Sequence, residues 1–343
     1  MHQIRVDASE AGRRLDRFLF AYLPAAPQPL MYKLLRKKRI KLNGGRADGA
    51  EMLTAGDTLG FYIAPETLAG WRGARTVAPA APVPEIVYED AEMIIFNKPA
   101  GLAAHGGMDS GDHLQARLLY YLYQKGEYDP QANYSPALCN RLDVNTSGLT
   151  VCGKTLAALQ TWNARFAQRT ITKEYLAIVD GPLRGEATLT GFYEKDTRRN
   201  IARIIPGLTR TAPDLAAGQV ITHTSSDLAG QVITHYKSLA VGERHTLLCV
   251  TLVTGRSHQI RAHLAGIGHP IAGDTKYGGK PITRTLMPPE YLPGDIQAET
   301  TPPQAPAQLL HAHRLTIVDG TCWTAEPPAY FALAMTALKP ADI

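Results

Sequence analysis

The chain has 343 residues, enough for about two domains, and 45% of them are hydrophobic and 20% charged. This composition is that of a soluble globular protein with a sizeable core, and no apolar stretch is long enough to predict a membrane span. The formal net charge of +5 is mildly basic, so it is compatible with a nucleic-acid partner without establishing one.

The cysteine content indicates a reducing compartment. The chain has four cysteines, scattered through apolar stretches without a C-x-x-C pair: Cys139, Cys152, Cys249 and Cys322. This spacing argues against a zinc site or a disulfide framework, and buried free thiols are the simpler explanation. The N-terminus lacks the apolar core of a signal peptide, so we expect a cytoplasmic protein.

Residues 1–63 are predicted to form a separate small module. Its first predicted helix has apolar residues at the spacing of one helix face: Leu15, Phe18, Leu19 and Tyr22. A second helix at about residues 30–38 is followed by a short strand, 40–42, and an Asn-Gly turn. The second helix and the residue after it carry a basic cluster: Lys33, Arg36, Lys37, Lys38 and Arg39. Such a cluster is either a phosphate-binding patch or simply a solvated face.

Residues 64–84 are rich in Pro and Ala without periodicity, which predicts a partly extended linker. Residues 85–335 are predicted to form one large domain, followed by a loose tail at 336–343. Two short strands open this domain, and Lys98 ends the second of them. We interpret Lys98 either as a contact to a nucleic-acid phosphate or as an ordinary charge at a sheet edge.

The stretch from Asn140 to Leu149 reads Asn-Arg-Leu-Asp-Val-Asn-Thr-Ser-Gly-Leu, a polar turn that leads into a strand. In an extended segment Arg141 and Asp143 lie on one face, so the guanidinium favours an ionised carboxylate. A nucleophile or a general base requires such a carboxylate. Taken alone, however, an Arg-x-Asp pattern is more often an ordinary surface ion pair.

Two later stretches also have distinctive sequences. Residues 172–179 alternate in the manner of a strand and include Tyr175, and Gly255–Leu264 reads Gly-Arg-Ser-His-Gln-Ile-Arg-Ala-His-Leu. His258 and His263 are five residues apart, which does not place two metal ligands on one helix face, and no H-E-x-x-H motif is present. We therefore predict no metal site.

These three stretches resemble the signatures of the RluA-type RNA pseudouridine synthases, which read H-R-L-D-x-x-T-S-G-L, K-x-Y-x-A-x-V and G-R-T-H-Q-I-R-x-H-L. The chain has Asn140 where the family most often has His, and Ser257 keeps the hydroxyl of the family's Thr. The resemblance covers about residues 12–63 and 85–318, because the N-terminal pattern is similar to the small RNA-binding module that precedes many such domains.

The resemblance implies an α+β fold, with a long, bent, mixed and mainly antiparallel sheet, a central cleft and a small N-terminal α/β RNA-binding module. It implies isomerisation of uridine to pseudouridine without a cofactor, with Asp143 as the catalytic residue. Tyr175 is expected to stack on the flipped base and assist proton transfer, and Arg256 to be the ion-pair partner of Asp143. The residues assigned to substrate binding are Arg141, Ile260, Lys98, His258, Lys33, Arg36, Lys37 and Lys38.

The expected partner is RNA, most often large-subunit (23S) ribosomal RNA in family members with such a module, with transfer RNA as an alternative. We expect a monomer without metal or membrane contacts. An inactive RNA-binding or ribosome-assembly protein is a second alternative, which the intact Asp143, Tyr175 and Arg256 disfavour. A glycoside-type hydrolase requires a second carboxylate at a defined separation, and no second acidic residue shares these signatures.

A near-repeat interrupts the large domain, since Gly218–His223 recurs as Gly230–His235. Two copies do not make a repeat architecture, so we predict an extra surface loop or hairpin without chemistry. The proline-rich residues 280–307 predict an irregular loop.

Overall fold

In a computed structural model the chain is built around two β-sheets of unequal size. The structure describes residues 2–7, 10–72, 77–106, 111–130, 132, 134–196, 199–206, 230–282 and 308–338. Within these residues a three-stranded sheet belongs to the N-terminal part and an 11-stranded sheet to the rest. Helices flank both sheets, so the α+β prediction is confirmed.

The small module combines one sheet with three helices. Its elements are β1 His2–Arg5, α1 Leu15–Tyr22, α2 Gln28–Arg36, β2 Ile40–Leu42, β3 Thr58–Phe61 and α3 Pro65–Arg72. All strand pairs are antiparallel, in the order β1-β3-β2. The predicted apolar face of α1 is buried in the module core. Helix α2 begins slightly before the predicted position because Pro29 lies in its first turn, where the missing N–H costs nothing.

The prediction of a linker over residues 64–84 was wrong in its first part. Residues 65–72 form α3, whose Leu68 is buried in the core of the small module with Trp71 packed against it. Two apolar anchors on one short helix are too few for a periodic signal, so tertiary packing and not the local pattern forms this helix.

The large domain is built on the 11-stranded sheet. Its elements are β4 Ile86–Glu89, β5 Met93–Lys98, α4 Leu114–Gln124, β6 Ala137–Leu138, β7 Ser147–Gly153, α5 Leu156–Gln168, β8 Ile171–Asp180, β9 Glu186–Asp196, β10 Ile201–Pro206, β11 Gln231–Val241, β12 His245–Leu252, α6 Gln259–Gly266, β13 Leu310–Ile317, β14 Cys322–Thr324 and α7 Ala329–Thr336. The strands lie side by side in the order β10-β9-β11-β12-β8-β13-β7-β5-β4, with β14 paired to β13 and β6 paired to β7.

A parallel pairing of β7 with β13 joins the two halves of this sheet, whereas the other pairs are antiparallel. At the joint Gly148 has a φ of 110°, and a Cβ there would lie 2.2 Å from the carbonyl oxygen of Ala312. Glycine is therefore required for the two strands to approach this closely. The loop that enters β7 at this point carries Asp143, so the joint fixes where that carboxylate lies.

Some expectations fall partly outside the described residues. The second copy of the near-repeat enters β11, but the first copy lies outside them, and so does the predicted surface loop or hairpin up to residue 229. The same holds for residues 283–307 of the proline-rich segment and for residues 339–343 of the tail. None of the helices in the described ranges is long and apolar enough to cross a membrane.

A buried histidine links β13 to β7 behind the joint. His311 is fully buried; its Nε2 lies 3.0 Å from the carbonyl oxygen of Ala325 and its Nδ1 2.9 Å from Oγ of Ser147. A carbonyl oxygen only accepts, so we assign the proton to Nε2, and Ser147 donates to Nδ1. Burial lowers the pKa of His311 to about 4, and it does the same for His263.

We expect the free energy of unfolding to fall as the pH decreases from 6.5 to about 4. The unfolded chain binds protons on His311 and His263 as the pH falls through 6.5, whereas the folded protein binds them only near pH 4. The loss is on the order of 3 kcal/mol for each histidine across this window. Urea unfolding across this pH range measures it. His311→Gln should flatten the dependence, whereas the exposed control His2→Gln should keep the wild-type slope; equal slopes in all three proteins would contradict the assignment.

Candidate active site

A cleft of about 900 Å³ opens where the two halves of the large sheet meet. Loop 141–146, the start of α6 and the tip of the β9–β10 hairpin contribute to its walls. Among the described residues that line it, Asp143 is the one carboxylate, while seven are arginine or lysine: Arg141, Arg169, Lys173, Lys195, Arg256, Arg261 and Lys276. This excess of positive charge suits a polyanionic ligand.

Asp143 is held by an arginine that is itself held by a second carboxylate. Nη1 of Arg261 donates to Asp143 at 2.9 Å, while Nε and Nη2 donate to the two oxygens of Asp274 at 2.6 and 2.8 Å. Both Arg261 and Asp274 are buried. Burial disfavours the charge on Arg261, but its hydrogen bonds to Asp274 and Asp143 outweigh this effect and raise its pKa. The bidentate contact to Asp274 leaves the guanidinium one orientation, with Nη1 aimed at Asp143.

The sequence-based assignment of Arg256 as the ion-pair partner of Asp143 was wrong. Arg256 lies in the loop before α6, with its side chain exposed at the cleft wall, and its backbone N–H donates to Gln259 at 3.1 Å. Arg261 lies on the first turn of α6, which packs into the domain. Both arginines belong to the same short motif, and only the position where the helix begins decides which one points inward.

His258 is a second neighbour of the Asp143 carboxylate and precedes α6 with a φ of 57°. Its Nε2 is 3.8 Å from the Asp143 carboxylate, and its Nδ1 is 2.9 Å from the hydroxyl of Tyr277. That hydroxyl accepts the backbone N–H of Ala202 at 2.7 Å, so its own proton is free to reach Nδ1. We therefore assign the imidazole proton to Nε2, facing Asp143. Burial lowers the pKa of His258 despite the opposing effect of Asp143.

Tyr277 stabilises this group of side chains from outside the motif. Its ring lies 4.8 Å from the Arg261 guanidinium in a cation–π contact and meets His258 edge-on at 5.7 Å. The roles of Arg261, Asp274 and Tyr277 were not predicted from the sequence. In the sequence Asp274 is a lone acidic residue in a Gly-rich turn, and this position alone does not indicate that Arg261 is its partner.

Two further candidate residues, Tyr175 and Ile260, line the cleft with Asp143. Burial, and to a lesser extent the Asp143 carboxylate, raise the pKa of Tyr175, so its hydroxyl is neutral near pH 7. Ile260 is almost fully buried on the first turn of α6 and presents an apolar surface. The cleft thus offers an aromatic ring and an aliphatic side chain beside its carboxylate, which suits a planar heterocycle.

Both interpretations of Lys98 were wrong. Its side chain is fully buried, and Nζ donates to the carbonyl oxygens of Pro99 at 2.8 Å, Leu102 at 2.8 Å and Val144 at 3.0 Å. Burial lowers the pKa of Lys98 to about 7, against the opposing effect of Asp143. Lys98 therefore joins the loop after β5 to the residue that follows Asp143, and it is not available to a ligand phosphate.

Asn140 anchors the other end of the Asp143 loop. Its Oδ1 accepts the N–H of Val151 at 2.8 Å, and its Nδ2 donates to the carbonyl oxygen of Leu149 at 3.2 Å. The loop then closes as a turn, with the N–H of Thr146 donating to the carbonyl oxygen of Asp143 at 3.0 Å. Asn140, which departs from the family's usual His, thus binds the backbone of β7 and not a reacting group.

The remaining predicted contacts lie on exposed surfaces. Arg141 is exposed at the cleft wall. The basic cluster of the small module is exposed throughout: Lys33, Arg36, Lys37, Lys38 and Arg39. In the described part of the chain no group of three or more His, Cys, Asp or Glu side chains is arranged to hold a metal ion.

Known proteins share the sequence pattern of this chain. Residues 92–266 match the sequence model of the family described as RNA pseudouridylate synthase. Two similar curated proteins carry the name ribosomal large subunit pseudouridine synthase C. The one from Escherichia coli is 31% identical over 293 residues, covering 82% of this chain and 82% of that protein. The one from Vibrio parahaemolyticus is 30% identical over 285 residues, covering 81% and 80%.

The fold is also found among solved structures. The structure of human RNA pseudouridylate synthase domain containing 4 matches with a TM-score of 0.54 and 22% sequence identity, covering 74% of this chain and 92% of that one. At this identity the likeness concerns the fold alone.

We expect Lys98→Met to lower the free energy of unfolding by about 3 kcal/mol, because three carbonyl groups lose the buried ammonium that donates to them. Urea unfolding measures the change. The matched control Lys237→Met removes an exposed ammonium on β11 and should change stability by less than about 0.5 kcal/mol. A Lys98→Met protein as stable as this control would contradict the structural role of Lys98.

Proposed function

Because the chain belongs to the RNA pseudouridylate synthase family, we propose that it isomerises specific uridines of large-subunit ribosomal RNA to pseudouridine, with Asp143 as the catalytic residue. The substrate follows from the names of the curated relatives, which cover most of the chain. The observation that carries the catalytic assignment is the placement of Asp143, held by Arg261 at 2.9 Å in a cleft whose other acidic or basic lining residues are arginines, lysines and histidines.

The positive cleft walls would bind RNA through its phosphates, as nucleic-acid-binding proteins generally do. The exposed basic cluster on α2 gives the small module a second phosphate-binding face. Neither surface distinguishes one sequence from another. The choice of uridine therefore rests on which nucleotide is able to leave its stack and enter the cleft, at a cost of a few kcal/mol.

The reaction breaks the bond between uracil N1 and the ribose and forms a bond from uracil C5 to the same ribose carbon. Asp143 begins it, either by attacking the nucleotide or by removing a ribose proton, so that the base detaches. The base then turns while it is held in the cleft. The C5 proton is lost and N1 gains one, so the net change is an isomerisation.

The other side chains of the site would hold the reacting groups. Tyr175 stacks on the flipped uracil with a neutral hydroxyl within reach for proton transfer, and Ile260 packs against the base from α6. Arg141, exposed at the cleft wall, fills the space that the flipped base leaves in the RNA. His258 presents Nε2–H towards Asp143 and completes its surroundings. All these groups come from one chain, so we expect an active monomer that works in the cytoplasm, where ribosomes are assembled.

The geometry does not favour the hydrolase alternative. That chemistry requires a second carboxylate facing the substrate. Within the described residues Asp274 is the carboxylate that shares Arg261 with Asp143. Arg261 binds both of its oxygens in the protein interior, so Asp274 does not face a substrate.

We expect Asp143→Asn to abolish pseudouridine formation while leaving RNA binding intact, because the change removes the reactive charge and keeps the shape. The assay incubates purified protein with RNA from cells that lack the enzyme and maps pseudouridine as carbodiimide-dependent stops of reverse transcription. Wild type should create stops in large-subunit RNA, and the exposed control Glu243→Gln should create the same ones.

Three outcomes would contradict this proposal. Wild-type stops found in transfer RNA alone would refute the substrate. Stops made by Asp143→Asn at the wild-type rate would refute the catalytic residue. No stops from wild type in any RNA would favour the inactive RNA-binding alternative.

A further inference from the structure

Arg169 ends α5 in a conformation that favours glycine. Its φ is 60° and its ψ 32°, the left-handed region in which a side chain is strained. Helices commonly end with glycine at such a position. An arginine in this conformation strains the backbone, whereas glycine would not. This strain indicates that the guanidinium has a role outside the helix. That guanidinium belongs to the wall of the cleft.

The guanidinium of Arg169 has a buried nitrogen without a partner. Among the described residues, no hydrogen-bond acceptor meets its Nη1, although water does not reach this atom either. A second cation that lines the cleft, Lys173, is close enough for its pKa to respond to the charge of Arg169. Burial, and then the charge of Arg169, lower the pKa of Lys173 to about 8. Two neighbouring, partly buried cations that bind no carboxylate among the described residues have the chemistry of an unfilled anion site.

The position of Lys173 relates this pair to the reacting centre. Lys173 lies two residues before Tyr175 on β8, so both side chains project from the same face of the strand, about 7 Å apart along it. The Lys173 ammonium also lies beside Gly255, where a Cβ would come within 3.3 Å of Nζ. The bare backbone of Gly255 therefore leaves room above the ammonium.

We propose that Arg169 and Lys173 together bind the phosphodiester next to the flipped uridine. This inference rests on the proposed function, since it names a subsite for the same RNA. A phosphate fits better than a base, because a guanidinium fork and an ammonium both donate hydrogen bonds and neither accepts any. The separation from Tyr175 corresponds to about one step along an RNA strand, so a base stacked on that ring places its own backbone phosphate over the pair.

The test compares Arg169→Gly and Lys173→Met with wild type in binding to a transcript of the large-subunit RNA segment, measured across a series of salt concentrations. Each variant should weaken binding about tenfold at low salt. Each should also reduce the slope of log K against log salt by about 0.7, the value for one phosphate contact to a single strand. The control Arg184→Gly removes an exposed arginine away from the cleft and should leave the slope unchanged.

Arg169→Gly separates a binding role from a structural one. Glycine relieves the strained backbone at the end of α5, so the melting temperature should equal or exceed that of wild type while the salt slope falls. A lower melting temperature with an unchanged slope would overturn the proposal, and so would wild-type slopes in both variants. The outcome is independent of catalysis: if wild type forms no pseudouridine the proposed function fails, whereas unchanged slopes in an active enzyme refute only the phosphate subsite.

Discussion

The site depends on one buried arginine that has to satisfy two carboxylates at once. Arg261 uses two nitrogens for Asp274 and the third for Asp143, and its ring contact with Tyr277 leaves it no other orientation. Losing one member of such a buried group typically costs about 3 to 5 kcal/mol, because the remaining charge is left unpaired. The position of the reactive carboxylate is thus set by the interior of the protein, and RNA does not have to arrange it.

Three residues also fix the position of the backbone around Asp143. Lys98 binds the carbonyl group of the next residue, Asn140 binds β7, and Gly148 lets β7 approach β13. Lys98 and Gly148 are paired residues on the neighbouring strands β5 and β7, so the Asp143 loop is anchored on this pair of strands. A catalytic group on a loop supported in this way has the rigidity of a strand while remaining open to the cleft.

The sequence predicted the features that depend on local pattern or on a family signature. The α+β class, the mixed sheet and the helices α1 and α2 were predicted correctly. The structure also brings the candidate residues Asp143, Tyr175 and Ile260 together in one cleft. The errors concern direction and burial. Lys98 was interpreted as a phosphate contact or a sheet-edge charge, yet its side chain is buried. Arg256 was expected to pair with Asp143, yet Arg261 is the arginine that does so.

These errors have one physical origin. Whether a basic side chain faces solvent or the interior depends on acceptors supplied by other segments: the carbonyl of Val144 for Lys98, and Asp274 for Arg261. Such acceptors are separated from their partners by many residues, so neither periodicity nor composition reveals them. Helix α3 was missed for the same reason, since only its packing on the small module accounts for it.

The most direct test of this account is the rate of pseudouridine formation in a single turnover, with enzyme in excess, for Arg261→Lys and Arg256→Lys. Lysine keeps the charge at each position but is unable to hold Asp274 and Asp143 together. We expect Arg261→Lys to be at least about 100-fold slower than wild type and Arg256→Lys to stay within about threefold of it. A slow Arg256→Lys enzyme beside an unaffected Arg261→Lys enzyme would contradict the account.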